Sequence, residues 1–259
     1  MNIVKQLNNK VVLITGASSG IGTVCAEQFA QAGANLLLCA RRISIIKALA
    51  SDLQKQYDIS AHAFELDVRS EQQVRDAIHD LPQVWKSIDI LVNNAGLAAG
   101  LDPIQSGDSG DWEAMIDTNI KGLLYVTRAV LPGMIERDLG HIINIGSIAG
   151  HQVYPKGGVY CATKHAVNAL SQGLRLDLSG TKVRVSSVDP GAVETNFSLV
   201  RFKGDEQKAQ AVYKGFQPLT PEDVADAILY CASRPEHVNV SEILIMPTAQ
   251  AAASMITRK

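Results

Sequence analysis

The chain has 259 residues, 46% of them hydrophobic and 19% charged, with a formal net charge of −2. That length suffices for a sizeable core in one α/β domain, and the near-neutral balance gives no electrostatic basis for binding nucleic acid or an anionic membrane. The four cysteines, Cys25, Cys39, Cys161 and Cys231, form no C-x-x-C pair and no zinc spacing, so reduced thiols in a cytoplasmic protein are expected and no metal site is.

The opening stretch MNIVKQLNNK has no long apolar run, and the VVLIT that follows is too short to cross a bilayer, so no export signal is expected. KVVLITGA (10–17) reads instead as a buried strand ending at a glycine, followed by a helix over about 21–31 that Gly33 stops. ANLLLCAR (34–41) is a second strand, ISIIKALASDLQKQY (43–57) a helix, and AHAFELDV (61–68) a third strand. Ser70 is placed to cap a helix running to about Val84, and IDILVNNAG (88–96) is the fourth strand. A long helical segment covers 111–137, with Pro132 a candidate kink, before GHIINIGSIAG (140–150) gives the fifth strand. A helix then runs from around Tyr160 to about Leu178, KVRVSSVDPG (182–191) is the sixth strand, and SEILIMP (241–247) the seventh, after a helix announced by TPEDVADAILYCAS (220–233). Strands that are apolar throughout are usually buried on both faces, as in a parallel sheet flanked by helices. The β-α alternation predicts a single doubly wound, Rossmann-like α/β domain over residues 1–259, with no linker dividing it. The least regular stretch, 194–219, is expected to form a flap over a site.

Chemistry first appears in TGASSGIG (15–22), where Gly16, Gly20 and Gly22 lie between a strand and a helix. Glycines permit a tight turn and close approach of a ligand, and a helix N-terminus presents free N–H groups to a pyrophosphate. The spacing is G-x3-G-x-G rather than the commoner dinucleotide G-x-G-x-x-G, and Ser18, Ser19 and Ile21 share the loop. At the end of the second strand, where NAD enzymes often carry an acidic residue for the ribose 2′-hydroxyl, this chain has Arg41 and Arg42. Guanidinium groups bind a 2′-phosphate, so NADP(H) is favoured over NAD, with Ser18 helping to hold that phosphate. Asp67 and Val68 end the third strand within reach of an adenine ring, and Asn94, Ala95 and Gly96 end the fourth, where a cofactor ribose would lie. In VYCATKHAV (159–167), Tyr160 and Lys164 are four apart and so share a helix face. An ammonium beside a phenol stabilises phenolate and brings its pKa, ordinarily about 10, towards neutrality. An ordinary surface pair on an amphipathic helix is the alternative at this point.

Taken in order, TGASSGIG, NNAG, Asn119, Ser147, Tyr160-x3-Lys164 and the Pro190-Gly191 pair resemble the motifs of the short-chain dehydrogenase/reductase family over about residues 8–248. The resemblance implies a seven-stranded parallel sheet and a dimeric or tetrameric assembly, here expected as a homotetramer. It also implies that Tyr160 is the acid–base, that Lys164 lowers its pKa and bonds the nicotinamide ribose, and that Ser147 holds the substrate oxygen. Asn119 would hold a water in a relay with Lys164, and Pro190, Gly191, Val193 and Thr195 would line the cofactor site. At finer grain, NNAGLAAG, VRFKGD and LTPEDVADAI resemble the NADP-dependent 3-hydroxy acid dehydrogenase group, implying oxidation of a short 3-hydroxy acid or the reverse reduction. A small anionic substrate needs a cation near the nicotinamide, for which Arg201 is the candidate, with Gln152 a second polar contact; a surface or interface role for Arg201 stays open. The segment DPGAVETNFS (189–198) is shorter than the comparable loop of that group, which leaves the pocket shape open. Reduction of a diketone, a sugar or a 3-oxoacyl group is the alternative chemistry, and a non-catalytic NADPH sensor the alternative class. His151 and His165 are read as scaffold or pocket lining, Cys161 as no nucleophile, and the tail 248–259 as a candidate subunit contact.

Overall fold

A computed structural model describes residues 7–259; the first six residues, part of the stretch read for an export signal, lie outside the described residues. Seven parallel strands form one sheet in the order β3-β2-β1-β4-β5-β6-β7: β1 (Val11–Thr15), β2 (Asn35–Ala40), β3 (Ala61–Glu65), β4 (Ile90–Asn93), β5 (Gly140–Ile145), β6 (Val183–Pro190) and β7 (Glu242–Ile245). The order reverses between β1 and β4, and a crevice opens there at the strands' carboxyl ends.

The apolar strands are explained by the two cores they serve. Val12, Ile14, Leu36 and Leu38 face one layer, with Phe29 of α1 (Ile21–Gln31), Ile46 and Leu53 of α2 (Ile43–Tyr57), and Ile228 from a later helix. Val11, Leu13, Leu37, Leu91 and Ile142 face the opposite layer, with Val74 of α3 (Glu71–His79) and Val126, Val130 and Met134 of a longer helix. Successive strand residues point to opposite faces, so a strand covered on both sides must be apolar at every position.

Helix boundaries follow local chemistry. The Ser70 hydroxyl caps α3 by accepting from the Gln73 N–H, but the helix ends at His79, and Pro82 opens a separate short turn before Trp85. The expected long helix over 111–137 is three pieces: α4 (Ser109–Ile116), a π-helical segment Asp117–Gly122, and α5 (Leu123–Glu136). The helix runs through Pro132, and the irregularity falls instead around Asn119, whose amide bonds the neighbouring Leu97 backbone. Then come α6 (Gly158–Asp177), α7 (Phe197–Arg201), α8 (Glu206–Ala211) and α9 (Pro221–Ala232). Thr220 and Asp223 close a reciprocal capping box at the start of α9, with Pro221 in its first turn.

The stretch 194–219 is therefore more ordered than expected: it carries α7 and α8 and is pinned at its base where the Glu194 N–H donates to the Leu219 carbonyl and the Leu219 N–H to the Ala192 carbonyl, both 2.9 Å. After β7 a small hairpin, β8 (Gln250–Ala252) and β9 (Met255–Ile256), ends the chain. Among the described residues no helix is long and apolar enough to cross a membrane.

Candidate active site

The crevice at the sheet's carboxyl edge is a cavity of about 460 Å³ running from the β1–α1 turn to α6. At one end, Gly16 (φ 67°) and Gly20 (φ 57°) adopt the left-handed conformation that favours glycine. A Cβ on Gly16 would press on the Ala95 backbone. No side chain caps the α1 N-terminus and its first turn holds no acidic residue, so its N–H groups and positive dipole end face the cavity unopposed. Ser18, Ser19, Gly20 and Ile21 line this end. Gly22 does not; it lets α1 pack close, since a Cβ there would meet the Gly16 carbonyl and the Asn94 amide. Asn94 ties the two turns together by donating to the Thr15 carbonyl at 2.8 Å.

Both arginines after β2 line the cavity, and they differ in setting. Arg42 folds over the glycine loop, donating to the Ser18 hydroxyl at 2.9 and 3.2 Å and to the Ser19 hydroxyl at 2.9 Å. Arg41, exposed like Arg42, makes no such bonds, and its charge reaches Asp67. Asp67 and Val68 line the wall just past β3, and Asp67 is held below its ordinary pKa chiefly by the hydrogen-bonded Arg69 guanidinium 2.6 Å away. Asn94, Ala95 and Gly96 line the floor beyond β4, and Pro190 at the end of β6, with Gly191, Val193 and Thr195 after it, the far wall.

At the other end Ser147, Tyr160 and Lys164 all line the cavity and all are buried. Ser147 lies two residues past β5, where its hydroxyl accepts the Ala149 N–H (3.1 Å) and donates to the Pro190 carbonyl (3.4 Å). Tyr160 and Lys164 stand one turn apart on α6. Their electrostatics depart from the sequence expectation. Burial raises the Tyr160 phenol above its usual range, opposed by the hydrogen-bonding Ser147 hydroxyl and the Arg201 charge. Lys164 does not contribute: its ammonium donates to the Ile145 carbonyl at 2.8 Å, and burial depresses it to about 8 while Asp189 pulls it up. Asn119 is also differently engaged. Its amide oxygen accepts the Leu97 N–H, and its nitrogen donates to the Leu97 carbonyl and the Thr163 hydroxyl, so the side chain clamps the β4 loop to α6 with both N–H groups committed.

Arg201, at the end of α7, packs against Tyr160 but does not line this cavity; with Tyr160, Gly100 and Trp112 it lines a small neighbouring pocket. Its guanidinium lies 5.6 Å from the Tyr160 ring centroid and 5.4 Å from that of Tyr154, its Nε donates to the Gly100 carbonyl at 3.2 Å, and one buried terminal nitrogen, Nη2, has no partner. Gln152 is not at the cavity. It is exposed, and its side-chain oxygen accepts the Ala253 N–H because the turn after β5 carries it outward to the C-terminal hairpin. Two aromatics the sequence reading missed pack near Tyr160: Phe197, which lines the cavity edge-on to it at 5.6 Å, and Tyr154, which does not line the cavity. Neither has a spacing signal, since each meets Tyr160 only through tertiary packing. Cys161 packs with Ala98, Met115 and Ala149, away from the cavity. His151 is 2.7 Å from Asp189, and His165 donates to the Cys161 carbonyl; neither lines the cavity. One ligand atom each from His151, Asp189 and Glu242 lies within 4.8 Å of the others, although the His151–Asp189 hydrogen bond already joins two of them.

Residues 10–205 match the family pattern described as short chain dehydrogenase. The chain belongs to the short-chain dehydrogenase family. It is 47% identical over 246 residues to the NADP-dependent 3-hydroxy acid dehydrogenase YdfG of Salmonella typhi, covering 95% of this chain and 98% of that one. It is 48% identical over 242 residues to sulfoacetaldehyde reductase 2 of Chromohalobacter salexigens, covering 93% and 95%. Among solved structures, the closed form of serine dehydrogenase complexed with NADP+ superposes with a TM-score of 0.89 at 45% identity, covering 96% of this chain and 99% of that one. As a short-chain dehydrogenase, the protein is an oxidoreductase acting between hydroxyl and carbonyl groups.

Proposed function

We propose that the whole chain works as one NADP(H)-dependent dehydrogenase unit, interconverting the 3-hydroxyl and 3-carbonyl of a short 3-hydroxy acid such as serine, L-allo-threonine or 3-hydroxypropionate. The carrying observation is the convergence of Ser147, Tyr160 and Lys164 in one buried cavity end, with the Arg201 guanidinium packed on the Tyr160 ring and one of its nitrogens unpartnered.

The cavity suits the dinucleotide. Positive-φ glycines leave room for a pyrophosphate at the uncapped α1 N-terminus, and Arg42 with Ser18 and Ser19 presents donors for a 2′-phosphate. Relatives named as NADP-dependent, or solved with NADP+, favour the same cofactor. When bound, the cofactor supplies or accepts the hydride. The chain's residues handle everything at the oxygen. Ser147 holds the substrate oxygen by a hydrogen bond that strengthens as charge develops there. Tyr160, kept neutral by burial, gives its proton to that oxygen in the reducing direction. In the oxidising direction it must accept one, and the positive charge of Arg201 favours the phenolate this requires. Asn119 keeps the Leu97 backbone and Thr163 fixed behind the pair. Arg201 offers its free donor to the substrate's acidic group, and the sulfonate implied by one relative's name has the same requirement. We also propose a cytoplasmic homotetramer, for which exposed Leu124, Leu176 and Met255 offer apolar contact area; light scattering tests it.

The test is a rate panel with NADPH and NADH over serine, L-allo-threonine, 3-hydroxypropionate, sulfoacetaldehyde and the neutral diketone diacetyl. Preference for NADPH and for acidic substrates is the expected outcome, with a Tyr160→Phe variant binding NADPH normally and losing roughly 10²–10⁴-fold in turnover. Full turnover by that variant removes Tyr160 from its role, and faster rates with diacetyl remove the acid-substrate reading.

A further inference from the structure

The wall formed by Gly191, Val193 and Thr195 is not held by the parallel sheet alone. It is a turn just past β6 that meets the reacting end at its start and the glycine loop at its end: the Pro190 carbonyl accepts the Ser147 hydroxyl at 3.4 Å, and Thr195 lies against Gly20. A shift of this turn would therefore move both a contact of Ser147 and the wall facing the dinucleotide.

What fixes it arrives from the far end of the chain. The Gly191 N–H donates to the Ile245 carbonyl at 2.8 Å, the last backbone tie of the sheet. The next amide, Ala192 N–H, lies beyond the ladder and donates at 2.8 Å to the side-chain oxygen of Gln250, 58 positions away. Gln250 is buried, and it enters where Gly191 has no side chain: a Cβ at 191 would strike its Oε1. A buried amide is costly unless its polar atoms are paired, and here the pairing is to a cofactor-wall amide.

Gln250 is in turn held by the hairpin that carries it. Its N–H donates to the Pro247 carbonyl at 2.9 Å, the Thr257 N–H to the Ala249 carbonyl at 2.8 Å, and the Lys259 N–H to the Gly215 carbonyl at 2.7 Å. The Arg258 guanidinium reaches the Val212 carbonyl at 3.0 Å and also the Lys214 carbonyl. The hairpin thus braces the 190–195 turn and the 194–219 segment together.

We propose that Gln250 is a positioning residue for the cofactor, fixing the Gly191–Val193 turn at the reacting end of the cavity through the Ala192 amide. The inference rests on the NADP(H) reading above. It assigns the C-terminal hairpin a part in cofactor binding.

Two variants separate the hydrogen bond from simple packing. Gln250→Met keeps the length and removes the acceptor, while Gln250→Glu keeps an acceptor oxygen. Binding of NADPH and of adenosine 2′,5′-bisphosphate, which carries only the Arg42-end groups, is measured by titration, and exchange of the Ala192 amide by hydrogen exchange in the protein alone. Gln250→Met is expected to weaken NADPH about tenfold, the scale of one lost hydrogen bond. The bisphosphate should bind as in the wild type, Ala192 should exchange faster, and Gln250→Glu should restore most of the NADPH affinity. Unchanged NADPH binding and Ala192 exchange in Gln250→Met overturn the inference, as does an equal loss of both ligands in both variants. A wild-type protein that binds neither ligand sinks the NADP(H) reading itself, and the inference with it.

Discussion

The Arg201 guanidinium packs 5.6 Å from the centre of the Tyr160 ring, held from behind by the Gly100 carbonyl and with one buried nitrogen left over. A cation in that position serves two ends: it stabilises phenolate, and it offers a donor to an anion bound against the phenol. Arg201→Leu is therefore expected to raise KM for acidic substrates by about 10–100-fold, the range of a lost charge-assisted hydrogen bond, with NADPH binding unchanged. Rates with diacetyl on the same preparation provide the control, since a neutral diketone loses only the effect on the phenol. Equal damage to both substrate types would assign Arg201 to the fold instead.

The two arginines at the end of β2 are not equivalent. Both are exposed, but Arg42 is fixed on the Ser18 and Ser19 hydroxyls, whereas Arg41 makes no such bonds and its charge reaches Asp67. Arg42→Ala is expected to cut affinity for adenosine 2′,5′-bisphosphate about 10–100-fold and to lower the preference for NADPH over NADH accordingly. Arg41→Ala should do less, because no comparable set of bonds holds that guanidinium in place. Isothermal titration of both variants decides the order, and a larger loss from Arg41 would reverse the assignment.

Burial lowers Lys164 to about 8 from an ordinary 10.5. Between those values the unfolded chain binds a proton that the folded chain does not, so this residue makes stability rise with pH across that window and penalises the fold at full strength below it. Lys164→Met removes the titration. The stability of the wild type relative to this variant should accordingly improve as pH rises from about 8 to 10.5. Urea unfolding at a series of pH values, subtracting variant from wild type, cancels other titrating groups such as Tyr160. A flat difference would show that the ammonium is not desolvated in the protein.

All four cysteines are buried, and burial raises every thiol, Cys39 to about 12. The thiolate is the reactive form. Native enzyme incubated with iodoacetamide at neutral pH should keep its activity, and Cys161→Ala should retain turnover although it adjoins Tyr160. Rapid inactivation protected by NADPH would place a reactive thiol at the cavity.

Much of this protein was readable residue by residue. Uninterrupted apolar runs such as VVLIT marked strands covered on both faces, and the glycines of TGASSGIG between strand and helix marked the turn that opens the cavity. The i, i+4 spacing put Tyr160 and Lys164 on one face of α6, because helix geometry is local. Local pattern failed where competing partners decide. It assigned the Lys164 charge to Tyr160, but the nearest acceptor in space is the Ile145 carbonyl at the end of another strand. It placed Gln152 at the substrate, but the chain turns outward there and the hairpin takes its side chain.

Sequence by itself determined the class of fold, the burial of its strands on both faces and the shared helix face of Tyr160 and Lys164, since each follows from periodicity or short spacing along the chain, while Ser147 and Asn119 were legible only through the family resemblance. Tertiary structure alone decided which charge sits beside the phenol and what holds the wall opposite. Arg201 meets Tyr160 from 41 positions away and Gln250 meets Ala192 from 58, and contacts closed over such distances leave no periodic trace; they exist only once the sheet has brought its carboxyl edges together.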